Sequence, residues 1–157
     1  MRRAVAGALV AMLAAVLLLT GCGIRVPTDP GGSLDRVQGT VLRAGASLEP
    51  GLVEIDGRDV SGPLAALVAD FARTQDAEVD WTVGSEESLV VALEEGRLDV
   101  VVGGMTSDTP WADRVGVSRG YRGITGADGR ELVLLVPLGE NRLLSALETF
   151  LDGRVGG

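Results

Sequence analysis

The sequence predicts an α/β fold, a three-layer sandwich in which a mostly parallel sheet carries helices on both faces. Three observations lead there. From Thr40 onward, short apolar runs suited to strands alternate with segments of helical period. Leu98 to Val102 is almost continuously apolar and rich in valine, the pattern of a strand buried on both faces. Glycine and proline mark the changes of period.

Each element follows in order. Val41 to Ala46 reads as the first strand, and Val53 to Ile55 as a short second one closed by the turn pair Asp56-Gly57. Gly62-Pro63 opens a helix, because proline fits a first helical turn, where its missing N–H goes unused. Leu64, Leu67, Val68 and Phe71 give that helix one apolar face. Glu78 to Val83 is a strand. Ser85 is a suitable N-cap for the next helix, with Glu86 and Glu87 near its positive end. Leu89, Ala92 and Leu93 line the inner face, and Gly96 ends it. Leu98 to Val102 is the central strand, followed by Gly103-Gly104. Leu132 to Val136 is another buried strand, stopped by Pro137, and Asn141 to Leu151 is a closing helix.

The N-terminus reads differently. Met1-Arg2-Arg3 is a short basic segment, and Ala4 to Leu19 carries no charge. A membrane-spanning helix needs about 20 apolar residues, so this shorter run fits the apolar region of a signal peptide. The alternative is an uncleaved anchor. Leu19-Thr20-Gly21-Cys22 follows, with the only cysteine of the chain. These residues resemble the lipobox of bacterial lipoproteins. That resemblance implies cleavage before Cys22 and attachment of acyl chains of the palmitate kind to it. Two or more chains would anchor stably. The expected organisation is a signal peptide over 1–21, lipidated Cys22 with a flexible tether over 22–39, the folded domain over 40–152, and a disordered tail over 153–157. The expected place is the cell membrane, lipid-anchored on its extracytoplasmic face.

Composition narrows the function. Loss of Arg2 and Arg3 takes the net charge from −8 to −10. Such a chain is repelled by nucleic acid and by anionic lipid headgroups. There is no histidine, so His-based triads and zinc sites built on His are excluded. With Cys22 lipidated, no disulfide forms within the chain. No cofactor and no metal are expected.

Gly62 to Phe71, the string Leu93-Glu94-Glu95-Gly96-Arg97-Leu98-Asp99-Val100-Val101-Val102-Gly103-Gly104-Met105-Thr106, and Arg114 to Tyr121 resemble the family 3 solute-binding proteins. These are extracytoplasmic receptors of amino-acid ABC transporters, with the type II periplasmic binding protein fold. The resemblance covers roughly Thr40 to Asp152. It implies two lobes that close on a ligand, the second inserted after Tyr121. Here only Arg122 to Arg130 stands in that place, and nine residues cannot form a lobe. The sequence therefore resembles a single-lobe version. Three positions depart from the family. Trp111 stands where the family's carboxylate-gripping arginine falls, with Arg114 three residues away. Leu48 to Leu52 contains no aromatic residue. Gly62 is not followed by an acidic residue.

Ligands of open α/β sheets bind outside the carboxyl ends of the strands. The candidate ligand-binding residues there are Gly104, Met105, Thr106, Ser107, Trp111 and Glu49, and Cys22 is the lipidation site. Thr106 and Ser107 could bond a ligand or satisfy their own loop. Trp111 could be a stacking platform, an interface anchor or a lid over the core edge. Glu49 could meet a cationic ligand or be merely solvated. Trp81 reads as core, and Tyr121 as closing the domain near the missing hinge. Placed acid and base groups in a closed cleft are lacking, so no enzymatic activity is expected. The expected function is a lipid-anchored accessory receptor subunit of a membrane transport system, taking a small polar solute. The other reading is a ligand-independent interaction module docking on a membrane transporter.

Overall fold

The computed structural model describes residues 29–156. The signal peptide and Cys22 lie outside them. The described chain forms α1 (Ser33–Val37), β1 (Val41–Ala46), β2 (Glu54–Asp56), β3 (Asp59–Ser61), α2 (Pro63–Thr74), β4 (Glu78–Val83), α3 (Glu86–Glu94), β5 (Val100–Val102), β6 (Gly116–Val117), β7 (Leu135–Val136) and α4 (Asn141–Val155). Five strands make one sheet in the order β4-β1-β5-β7-β6, and β2 pairs with β3 in a separate hairpin. Strand β1 is parallel to both β4 and β5, while β7 runs against β5 and β6.

Period-two alternation builds a core on each face of the sheet. Leu42, Ala44, Ala46, Val100, Val102, Leu134 and Val136 point to one face, where α1, α2 and α4 cover them. Val101, Val133 and Leu135 point to the other, under Leu89, Val90 and Leu93 of α3. Helices on both faces and a mostly parallel sheet are as the sequence predicts. Gly45 is buried where α3 presses on β1, and a Cβ there would lie 2.8–2.9 Å from Leu98, Leu89 and Val101 methyl carbons. Overpacking of this kind destabilises by about 1–3 kcal/mol. Gly45→Ala is expected to lower the urea midpoint accordingly; an unchanged midpoint would contradict the packing described.

Two expectations need correction, and two elements were not expected. The tether expected over 22–39 is folded from residue 29: Leu34 and Val37 are buried in the first core, and Arg36 reaches Asp99. The tail expected to be disordered from 153 is helical to Val155, because Val155 packs on that core and Arg154 pairs with Asp70 at 3.2 Å. The expected second strand has a hairpin partner in β3, where Ile55 and Val60 pair and pack against the core. Finally, Gly116–Val117 forms an edge strand that the sequence pattern does not reveal, since two residues carry no period.

The junction after Tyr121 shows how one lobe is closed. Tyr121 and Leu132 exchange backbone hydrogen bonds, Tyr121 N to Leu132 O at 2.8 Å and Leu132 N to Tyr121 O at 3.1 Å. The nine residues between them turn back and bury Ile124 and Ala127 in the first core. Tyr121 is itself buried, and its hydroxyl donates to Asp152 at 3.2 Å. Burial and the adjacent carboxylate push its ionisation up to about 12.

Candidate functional site

The carboxyl ends of β1, β4 and β5 lie together at one end of the sheet. The β1 loop turns tightly, since Glu49 N donates to Val53 O and Val53 N donates back to Glu49 O. This places the Glu49 carboxyl on the backbone of Gly104; a Cβ at Gly104 would lie 2.6 Å from Glu49 Cδ. A side chain at 104 would have to displace the end of the Glu49 side chain from this position. Thr106 is half-buried and bridges to Leu132, while Ser107 is exposed. Glu49, Gly104, Thr106 and Ser107 thus share one rim.

Two candidates do not join them. Met105 is buried in the second core, and its carbonyl accepts from Val133 N at 3.0 Å. Its side chain offers nothing to a solute, because the strand alternation that sends Val101 inward sends Met105 to the same cluster. Trp111 packs on that cluster as well, donates from Nε1 to Glu86 at 3.3 Å and lies 5.4 Å beneath the Arg114 guanidinium. It is a lid over the core edge, not a platform turned to solution. Arg114 is held by Glu94 in a bidentate pair at 2.6 and 2.9 Å, so it does not replace the missing carboxylate-binding arginine. Trp81 is half-buried on the edge strand and packs on the first core.

Sequence reasoning missed Arg130. Its Nη1 donates to Glu49 Oε1 at 2.7 Å, and its Nε donates to Ala127 O at 3.3 Å. The pair is separated by 81 positions, so no local pattern announces it. Exposed hydrophobic side chains also mark this end, with Leu48 57% and Val83 42% accessible. A groove of about 390 Å³ lies elsewhere, beside α1 and Leu138, and one of about 490 Å³ runs between the β2–β3 turn and the carboxyl half of β4, with Val83 in its lining.

Asp99, in the string that carries the resemblance, serves the frame. It is completely buried. Its Oδ1 accepts from Arg36 and Arg43 at 2.6 Å each, and its Oδ2 accepts from the Arg43 amide at 2.9 Å and Nε at 3.0 Å. Although burial alone would raise its ionisation, the two arginines and the amide hold it below the usual carboxylate range.

No protein-family model matches the sequence, and no curated protein matches it. Solved structures do match. An arginine-bound point variant of domain 1 of the arginine-binding protein TmArgBP superposes with TM-score 0.66 and 22% identity, over 76% of this chain and 96% of that one. The arginine-bound form of a truncated arginine-binding protein from T. maritima gives TM-score 0.61 and 15% identity, over 76% and 97% of the two chains. A periplasmic binding protein of Salmonella typhimurium with high arginine specificity gives 0.61 and 13%, over 75% and 94%. The chain therefore has the fold of a periplasmic solute-binding protein. More particularly, it is a single lobe of that fold, of the kind that domain 1 of TmArgBP presents.

Proposed function

We propose that the protein is a lipid-anchored extracytoplasmic receptor lobe, an accessory subunit of a membrane transport system that presents a small polar solute. The carrying observation is the shared single-lobe fold with an open rim at the strand carboxyl ends. A lone domain of this fold, domain 1 of TmArgBP, was solved with arginine bound, so one lobe can suffice for a solute. The solute would meet Ser107, Thr106, Gly104 and Glu49, and a partner would cover its exposed side.

Cys22 gives the anchor a role in this reading. From Cys22 to Asp29 the chain can span at most about 25 Å in any conformation. That confines the domain near the membrane and raises its effective concentration toward a membrane partner. A freely exported, folded Cys22→Ser form is expected to lose function; full activity from it would refute the coupling. The solute is tested by titrating residues 23–157 with amino acids, cations and small anions while following Ser107 and Gly104 amide shifts. Residues 29–156 hold both cores, so this chain is a suitable unit. Crosslinking in membranes should show a partner that increases with solute.

One set of contacts favours the second reading, a ligand-independent module docking on a transporter. Met105, Trp111 and Glu49 are all engaged within the chain. In that case the crosslinked partner is captured equally without solute and is lost on Leu48→Asp at the exposed rim.

A further inference from the structure

We infer that the rim carries a cation subsite on Glu49 that the protein fills with its own Arg130, and that the free form of this subsite takes a guanidinium or ammonium group. The inference rests on the receptor reading and names the solute chemistry of that site.

Four observations carry it. Glu49 is fixed, not trailing in solvent: its main chain closes the tight turn to Val53, and its carboxyl rests on Gly104 at the end of the central strand. Only one of its oxygens is engaged. Oε1 accepts from Arg130, while Oε2 receives no hydrogen bond among the described residues. Arg130 comes from the segment that occupies the place of a second lobe. That segment is held down by buried Ile124 and Ala127, and Gly126 packs so closely on Gly51 that a Cβ there would overlap the Gly51 carbonyl oxygen. The closing loop therefore reaches over to the β1 loop and delivers a guanidinium to its carboxylate. Both partners stay partly open, at 38% and 30% side-chain accessibility for Arg130 and Glu49, so a solute can reach them.

The chemistry follows from competition. A tethered guanidinium acts at a high effective concentration, so a free cation binds Glu49 only by displacing it. Exposed ion pairs of this geometry are modest in strength, so the block is partial. Removing Arg130 also removes the like charge that an incoming cation would face. Neutral polar solutes gain nothing from its removal, because they neither need the carboxylate nor suffer from the arginine.

The test uses residues 23–157 as wild type, Arg130→Ala and Arg130→Ala/Glu49→Gln. Each is titrated with L-arginine, methylguanidinium and, as the uncharged isostere, L-citrulline. Gly104 and Ser107 amide shifts report binding, and the urea midpoint confirms folding. Arg130→Ala is expected to bind L-arginine and methylguanidinium more tightly than wild type, by up to about fivefold. Citrulline should be unchanged, and the gain should vanish in the double variant. Equal binding of arginine by wild type and Arg130→Ala overturns the inference and leaves the receptor reading standing. Absence of cation binding by a folded Arg130→Ala form overturns it too, and solute-dependent crosslinking then decides the receptor reading separately. A gain that survives Glu49→Gln would place the cation elsewhere and also overturn it.

Discussion

Replacing Asp99 with alanine is expected to destabilise the fold by about 3–4 kcal/mol. Asp99 stands just before β5, fully buried, and joins its own segment to two others: α1 through Arg36, and β1 through the guanidinium and the amide of Arg43. Removing one partner of a buried ion pair leaves the rest uncompensated, an effect of about 3–5 kcal/mol. The two arginines are partly exposed, at 30% and 43% of their side chains, and regain some hydration. That places the expectation toward the low end. Urea denaturation of residues 23–157 measures it, and a loss under about 1 kcal/mol would refute the lock. The pH dependence has a definite sign. A carboxylate held below its unfolded value stabilises the native state above that value, near 3.8, and the stability is lost as pH falls through the folded one. Asp99→Asn should flatten part of this acid limb.

The second large effect concerns the docking of α1. Glu140, at the start of α4, accepts from Gly31 N at 2.5 Å and Ser33 N at 2.9 Å, and so fastens α1 to the domain. Asp29 lies against it with its carboxyl almost fully buried and no donor bonded to either oxygen among the described residues. Arg142 of α4 approaches Asp29 at 3.7 Å and pairs with Asp35 of α1 at 2.8 Å. Burial and the Glu140 carboxylate push Asp29 up to about 6, while the shared proton and the two amides bring Glu140 down to about 2. The native pair thus keeps one proton between about pH 2 and 6.

The unfolded carboxyls, with ordinary values of 3.8 and 4.5, hold both protons below about pH 3, about one near pH 4 and neither above about pH 5.5. Stability therefore rises with pH toward about 4, because over that range the native pair has released a proton that the unfolded groups still largely hold. It then falls as pH rises to about 6, where the native pair still holds a proton and the unfolded groups do not. The fall amounts to roughly 1.5 kcal/mol between pH 4 and 7, because the loss from Asp29 is partly offset by the gain from Glu140. Asp29→Asn keeps a donor toward Glu140 at every pH, so it should abolish the falling limb and raise stability at pH 7. Glu140→Ala should release α1, seen as faster amide exchange at Val37, with a loss of about 2 kcal/mol. An Asp29→Asn variant whose pH profile matches wild type would show that the two carboxyls do not share a proton.

The division between sequence and tertiary structure follows from the range of each force. Local period and turn chemistry, both short in range, determined the main helices and long strands. Phe71 and Val68 on one helical face, Ser85 at an N-cap whose side chain accepts from Ser88 N, and the valines of β5 were readable because their causes lie within a few residues. The string around Asp99 and the nine residues after Tyr121 carried the single-lobe resemblance, and the solved arginine-binding lobes share that fold. Tertiary structure alone decided which polar groups remain available. Met105 sits in the central loop of the resemblance, yet sheet alternation buries it. Trp111 looks exposed among polar neighbours, yet Glu86 and Arg114 hold it on the core edge. Residues 29–39 look like linker because their glycines and polar groups conceal Leu34 and Val37; their anchoring carboxyl, Glu140, is 107 positions from Ser33. Glu49 was legible as a lone carboxylate at a strand end. Its partner Arg130 was not, because a charge pair across 81 positions leaves no periodic trace and exists only once the loop that closes the lobe has folded onto the rim.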